Sequence, residues 1–301
     1  MKKYNIGISS CLLGNKVRFD GGHKKNKIIN GELLKYFSFL PFCPEVAIGL
    51  GVPRQTIRLV ERENIIEVVN PKTNENHSKK MRHYAHSISN QEFDGFLFKK
   101  DSPSCGAFRV KTFHPNGQKL HSNGVGAFAE QIMKNFPNMP VEEEGRLNDI
   151  GLKNNFINRV IMYGDLKEIK SIHELIQFHA ENKYTLYSYH QLLVKDLGKI
   201  IASNKKNSDF SEIKSYYIEN IMKRTIKPPK KSNQINAMLH VFGHLKKELN
   251  YQEKTEFLRF VEMYNKNEVP IIAPLSILRF LIKNKGNTYI KNQSYVSLEI
   301  N

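Results

Sequence analysis

Apolar residues in the first 136 positions come in short runs that are bounded by Pro, Gly and Ser. Aromatic and β-branched side chains dominate these runs, which is typical of β-strands. The pattern predicts strands at 4–8, 36–42 and 93–98 and an extended stretch at 65–69. Between and after them, apolar residues recur at helical spacing at 81–91 and 125–136.

Strands that alternate with helices favour a mostly parallel sheet. We therefore predict an α/β domain with a Rossmann-like sheet over residues 1–145. We interpret a charged, turn-prone segment, Glu-Glu-Glu-Gly-Arg at 142–146, as the joint at which this domain ends. Beyond it, apolar positions three or four apart predict an all-α domain over 146–301. The predicted helices are 154–164, 168–181, 185–203, 211–226, 232–248, 251–266 and 274–284.

The composition is that of an ordinary globular protein of two domains. The chain has 301 residues, 40% of them hydrophobic, and contains no apolar run long enough to span a membrane. Its first residues lack the apolar stretch of a signal peptide, so we expect a cytoplasmic protein. The formal net charge of +17 is spread over both halves. This charge fits either a lysine-rich proteome or an anionic partner such as a nucleotide or RNA.

Each of the three cysteines, Cys11, Cys43 and Cys105, lies just after a predicted strand. Ligands of α/β sheets bind at the carboxyl ends of the strands, so three thiols there would form a soft-metal site. The spacing between them matches no compact zinc or ferredoxin motif. A structural role remains the alternative, because free cysteine often serves as a small core residue. The flanking Ser-Ser, Pro-Glu and Pro-Ser residues are unusual in an apolar core and favour the metal site.

The longer motifs around the cysteines closely resemble the thiouracil desulfidase (TudS) family. The matching segments are SSCLLGNKVRFDGGHK at 9–24, FCPEVAIGLGVPR at 42–54 and KKDSPSCG at 99–106. The remainder resembles the YbgA-like domain, which has no well-defined role. The matching segments there are EEEGRLND at 142–149, NFINRV at 155–160, FHAENKYTLYSYH at 178–190 and HVFGHLKK at 240–247.

The resemblance implies a [4Fe-4S] cluster held by Cys11, Cys43 and Cys105, with one iron free of protein ligands. It also implies sulfur removal from thiolated pyrimidines such as thiouracil, thiouridine or 4-thio-UMP, and it assigns Glu45 and Ser102 as catalytic groups. The chemistry is consistent, because an open iron binds a thione sulfur and a carboxylate can activate the attacking water. Such a hydrolysis requires no net redox change, so we expect no need for a nicotinamide or flavin.

Four further residues are candidates for contact with the substrate. Ser104 carries a hydroxyl beside Ser102, and either could point at the site. Arg18, Asp20 and His23 belong to a glycine-bearing loop after the first cysteine. They could grip a uracil edge or a phosphate, or they could form a network that closes the loop.

Two other functions compete with the desulfidase. A zinc-dependent hydrolase of nucleobases would use cysteine ligands and Glu45, although the HxE and PCxxC signature of zinc deaminases is missing. An RNA-binding module with structural cysteines would account for the positive charge. A desulfidase that acts on a thiolated nucleotide within RNA would combine desulfuration with RNA binding. The sequence therefore leaves the free base, the nucleotide and RNA as alternative substrates.

Overall fold

The computed structural model describes residues 2–203 and 209–297, and within them eight strands form two four-stranded sheets. All eight strands lie in the first half of the chain. In chain order they are β1 (Tyr4–Ser9), β2 (Phe37–Phe42), β3 (Arg58–Arg62), β4 (Ile65–Val69), β5 (Gly95–Phe98), β6 (Val110–Phe113), β7 (Lys119–Gly124) and β8 (Val141–Glu143).

The first sheet has the order β2-β1-β5-β8, and all of its neighbouring strands are parallel. The chain runs from β1 to β2 on one side and then crosses to β5 and β8 on the other. The order therefore reverses beside β1, which makes the carboxyl end of β1 a topological switch point. This sheet confirms the predicted mostly parallel α/β fold and three of its strands, with ends shifted by two residues or fewer.

The first four α-helices lie around this parallel sheet and cover both of its faces. They are α1 (Pro44–Ala47), α2 (Ser78–Ser87), α3 (Ala127–Asn135) and the long α4 (Ile150–Glu168). On one face, Phe96 and Phe128 pack at a ring distance of 5.9 Å, so α3 lies against β5. On the other face, Phe37 of β2 meets Phe156 of α4 at 5.9 Å. A doubly covered sheet explains why its strands read as continuous apolar runs.

The second sheet has the order β4-β3-β6-β7 and mixes parallel and antiparallel pairs. Only β4, at the extended stretch 65–69, was anticipated from the sequence. Buried Leu59, Val68 and Val110 of this sheet pack with Met81 of α2 and Ala127 of α3. Because β5 of the first sheet also packs with residues of α2 and α3, both sheets pack against the same pair of helices.

The chain divides into two compact units, Met1–Gly164 and Asp165–Asn301. The second unit is helical over its described residues, as predicted. Its helices after α4 are α5 (Ile172–Glu181), α6 (Lys183–Tyr189), α7 (Gln191–Ser203), α8 (Phe210–Arg224), α9 (Lys231–Gly243), α10 (Tyr251–Asn265), α11 (Ile272–Lys285), α12 (Thr288–Lys291) and α13 (Ser294–Ser297).

Two sequence interpretations differ from the structure. The single helix expected at 185–203 is wrong, because His190 adopts an extended backbone that separates α6 from α7. The segment 142–146 is not a turn-prone joint throughout, because Glu142 and Glu143 lie in β8 and are buried. The Glu-rich composition concealed a short strand that pairs with β5. In the part of the chain that the structure describes, no helix is long and apolar enough to cross a membrane.

Candidate functional site

The three cysteines stand at the carboxyl ends of three adjacent strands of the parallel sheet. Cys11 follows β1, Cys43 follows β2 directly, and Cys105 lies in the loop after β5. Because β1 is the central strand of this trio, the thiols flank the switch point of the sheet, where ligands of such folds bind. All three are free cysteines, and Cys11 and Cys105 are buried.

Short helices fix the first two cysteines. Cys11 belongs to a 3-10 helix, Ser10–Leu13, that begins as soon as β1 ends. Cys43 is the N-cap residue of α1 and has an extended backbone, while Pro44 occupies the first turn. Proline suits this position because its fixed φ angle matches the helix and its missing N–H would have no helical partner. Glu45 is thereby placed in the same turn as the Cys43 thiol.

The start of α3 holds the turn that carries Cys105. The backbone N–H groups of Phe128 and Ala129 donate to the carbonyl oxygen of Ser104 at 3.0 and 3.1 Å. Within the turn, the backbone N–H of Cys105 donates to Ser102 Oγ at 3.1 Å. The orphan donors of a helix N-terminus thus fix the loop backbone next to the thiol.

Gly126, the N-cap of α3, permits this close approach. A Cβ atom on it would lie 2.5 Å from the carbonyl carbon and oxygen of Ser104. We expect Gly126→Ala to destabilise the protein by about 1–3 kcal/mol, because backbone must move to relieve the overlap. Urea unfolding measures the effect. Gly243→Ala is the control, because open space surrounds that helical position and alanine should cost nothing there. An equal response of both variants would contradict the packing argument.

The thiols face one cavity of about 360 Å³. Its volume lies within the range of small-molecule sites. The cavity is lined by Ser9, Ser10, Cys11, Val17, Arg18, Phe19, Lys24, Phe42, Cys43, Glu45, Arg54, Gln55, Thr56, Ile57, Lys99, Lys100, Asp101, Ser102, Pro103 and Cys105. Basic side chains outnumber acidic ones in this lining, so the cavity favours an anionic occupant.

A hydrogen-bonded chain fixes the Glu45 carboxylate inside this cavity. One carboxylate oxygen accepts a hydrogen bond from Ser104 Oγ, and the other lies 3.3 Å from Cys43 Sγ. Ser104 Oγ also lies 2.9 Å from Ser102 Oγ. Arg54 approaches the carboxylate at 3.9 Å and donates to the Val17 carbonyl at 2.9 Å. The buried carboxylate is therefore held from two sides.

The sequence could not decide whether Ser102 or Ser104 points at the site, and the structure places the two side chains differently. Ser102 lines the cavity, whereas Ser104 is fully buried behind it and contacts Glu45. Sequence reasoning also missed Ser9, whose hydroxyl accepts from the Lys99 backbone N–H at 3.0 Å and hydrogen-bonds Cys105. The available signal was the position of Ser9 at the end of β1, as the first residue of the first cysteine motif.

Burial keeps the thiols protonated in the cofactor-free protein. Desolvation, followed by the nearby Glu45 carboxylate, raises the pKa of Cys11 to about 11 and that of Cys43 to about 12. The same two causes raise the pKa of Cys105 well above its usual value. Metals bind thiolates, so a metal bound by these cysteines would displace their protons.

The loop after Cys11 places only one of its three candidate residues at the cavity. Arg18 lines the cavity, and its Nε lies 3.6 Å from the Asp20 carboxylate. Asp20 and His23 are exposed and serve local turns, accepting from the N–H groups of Gly22 at 3.0 Å and Lys25 at 3.2 Å. The Gly22 hydrogen bond is the main cause that lowers the pKa of Asp20.

Comparisons with known proteins match the two halves separately. Residues 6–144 match the family model described as 2-thiouracil desulfurase, and residues 183–298 match the model described as Protein of unknown function (DUF1722). The Uncharacterized protein YbgA of Escherichia coli (strain K12) is 18% identical over 124 residues, which are 41% of this chain and 73% of that protein.

Among solved structures, a [4Fe-4S]-dependent thiouracil desulfidase, TudS, is 27% identical with a TM-score of 0.40. The match covers 50% of this chain and 98% of that one. The two family models thus match successive parts of the chain, the first part resembling the 2-thiouracil desulfurase family and the second the DUF1722 family of unknown function.

Proposed function

We propose that this chain hydrolyses the C–S bond of thiolated pyrimidines at a [4Fe-4S] cluster held by Cys11, Cys43 and Cys105. The observation that carries the proposal is the single cavity onto which these three thiols and the Glu45 carboxylate open. The match of residues 6–144 to a desulfurase family supports the reaction class. A cytoplasmic location would keep the thiols reduced.

The donor set fits such a cluster. Three thiols around one cavity are the soft donors that iron–sulfur clusters take. Among the described residues, no three His, Cys, Asp or Glu side chains are grouped as ligands of one metal ion. A cubane cluster does not need such a group, because each cysteine binds a different iron. When bound with three protein ligands, the cluster would supply a thiophilic iron that polarises the C=S bond of a substrate.

Glu45 is the general base in this proposal. Its carboxylate takes a proton from the water that attacks the ring carbon bearing sulfur. The C–S bond breaks, the ring keeps the oxygen of the water as a carbonyl oxygen, and the sulfur leaves as hydrogen sulfide, which takes up the two protons of the water. Ser104 holds the carboxylate in position, because its buried hydroxyl donates to Glu45. Ser102 faces the cavity and orients the water or the pyrimidine ring.

Basic side chains at the cavity favour a substrate that carries phosphate. Arg18, Lys24 and Lys100 all line it, and Lys24 and Lys100 are exposed. The Nε of Arg18 lies 3.6 Å from the Asp20 carboxylate, which directs the guanidinium at the edge of the cavity. A nucleotide such as 4-thio-UMP would place its base at the thiols and its phosphate at these cations.

Arg18→Gln tests this substrate preference. A charge-assisted hydrogen bond contributes about 1.5–3 kcal/mol, so we expect KM for 4-thio-UMP to rise roughly 10- to 100-fold. KM for free 4-thiouracil should stay unchanged, because the base carries no phosphate. Steady-state sulfide release with both substrates measures the two effects. Equal losses for base and nucleotide would show that Arg18 supports the cavity rather than the phosphate.

The proposed activity is tested by anaerobic purification, iron and sulfide analysis, and assay of sulfide release from 4-thiouracil, 4-thiouridine and 4-thio-UMP. About four iron and four sulfide per chain, with a uracil product, would support the proposal. Zinc without iron would favour the zinc-dependent hydrolase of nucleobases instead. Salt-dependent tRNA binding that persists after the cysteines are changed to Ser, without turnover, would favour the RNA-binding module.

A further inference from the structure

The loop that carries Ser102, Ser104 and Cys105 is anchored at its start by Glu144. This carboxylate accepts a hydrogen bond from the backbone N–H of Lys100 at 2.7 Å, and it pairs with the ammonium of Lys99. The Lys99 ammonium also donates to the Lys100 carbonyl at 2.7 Å. The Glu144 carboxylate therefore binds both the backbone of Lys100 and the side chain of Lys99 at the point where β5 ends and the loop begins.

Glu143, the preceding residue, anchors the end of the same loop. Its Oε1 accepts hydrogen bonds from the backbone N–H groups of Ala107 and Phe108, each at 3.0 Å. Glu143 is 1% exposed, and burial raises the pKa of its carboxyl group. Burying a carboxylate is costly unless hydrogen bonds compensate. These two backbone donors supply that compensation at the residues that follow Cys105.

Strand pairing places both carboxylates at the loop. In the parallel ladder of β5 and β8, Glu143 stands opposite Phe98, the last residue of β5. Glu143 therefore ends the strand next to β5, from which the loop begins, and Glu144 follows Glu143 directly and donates its backbone N–H to the Phe98 carbonyl. Residues 101–106, with both serines and Cys105, lie between the anchor points.

We propose that Glu143 and Glu144 are positioning residues that hold the loop 99–108 in its ligand-bearing shape before the cofactor arrives. The inference rests on the proposed function only where it concerns cluster binding. A loop that is already ordered loses little conformational entropy when its cysteine binds the cofactor. The cofactor is therefore bound more tightly. Groups that orient metal ligands typically affect metal affinity 10- to 100-fold when they are changed.

The first measurement is hydrogen exchange of the full, cofactor-free chain. Glu143→Leu should speed exchange at Ala107 and Phe108 roughly 10- to 100-fold, because their acceptor is lost. Glu143→Gln should preserve protection, since its amide oxygen can accept from both donors. Glu144→Leu provides an independent test at Lys100, because the backbone N–H of Lys100 loses its acceptor and should exchange faster. Unchanged exchange in Glu143→Leu would overturn the inference.

The second measurement is the rate at which a chelator removes iron from the reconstituted full chain. Glu143→Leu should lose iron about 10- to 100-fold faster than the unaltered protein, and Glu143→Gln should match the unaltered protein. Glu32→Leu is the control, because Glu32 forms an ion pair with Lys153 at 2.7 Å and precedes the amino end of β2, away from the cysteines.

The outcomes separate the two proposals. If the unaltered protein binds iron and Glu143→Leu retains it equally well, the positioning role is wrong and the proposed function stands. If the unaltered protein binds no iron, the proposed function fails, and the exchange data still decide whether the carboxylates hold the loop. If Glu32→Leu loses iron as fast as Glu143→Leu, general destabilisation explains the effect and the positioning role is wrong.

Discussion

Glu45→Gln is expected to leave the iron–sulfur cluster in place and to lower kcat about 10²- to 10⁴-fold. The magnitude is that of a lost general base. Glutamine keeps the shape of the side chain and an oxygen that accepts from Ser104, so the cavity should keep its form. It lacks a site that takes a proton from water. Only the chemical step should therefore suffer, while the thiols that hold the cluster remain.

The measurement combines iron content, the absorption spectrum and sulfide release by the same preparation. Glu130→Gln is a matched control, because Glu130 binds Arg82 and Lys134 at the surface outside the cavity. It should change neither cluster nor turnover. Full activity of Glu45→Gln would remove Glu45 from the mechanism. Loss of iron in Glu45→Gln would instead mean that the carboxylate, 3.3 Å from Cys43 Sγ, supports a cluster ligand.

Replacing any one of Cys11, Cys43 and Cys105 by Ser is expected to abolish cluster binding and with it all turnover. Serine offers a hard oxygen donor in place of the soft thiolate that iron–sulfur clusters take. The chain contains three cysteines in all, so no further thiol can replace the lost one. The expected change is from about four iron per chain to nearly none.

Iron and sulfide analysis after anaerobic reconstitution measures this loss, and circular dichroism checks that each variant is folded. Ser10→Ala is a suitable control, because Ser10 lies beside Cys11 in the cavity lining but offers no thiol. A folded Cys43→Ser protein that still carries four iron would be incompatible with the proposed ligand set.

The sequence was sufficient for three strands of the parallel sheet and for the arrangement of the thiols. Strands such as Tyr4–Ser9 and Gly95–Phe98 are buried on both faces of the sheet. Consecutive positions in them are therefore apolar, and the sequence shows them as apolar segments. Because parallel strands end at the same edge, residues that follow them meet there. Cys11, Cys43 and Cys105 could be placed at one edge by that argument alone, and the structure brings them to one cavity.

Strands β7 and β8 have no comparable pattern. Lys119–Gly124 is largely exposed and Val141–Glu143 consists mostly of acidic residues, so neither shows the apolar signal of a strand. Their pairing depends on partners distant in sequence, such as Phe98 opposite Glu143. The different positions of Ser102 and Ser104 depend on how α3 binds the loop backbone, which spacing along the chain does not contain.

The order of strands in the parallel sheet has a consequence for biosynthesis. The three thiols come from segments separated by many residues, and the loop with Cys105 gains its anchors only when β8 has joined the sheet. A nascent chain that has emerged as far as β5 therefore presents ligands without the completed cavity. Long-range strand pairing is slow compared with local helix formation. Under the proposed function, we therefore expect the cluster to bind after β8 has paired with β5.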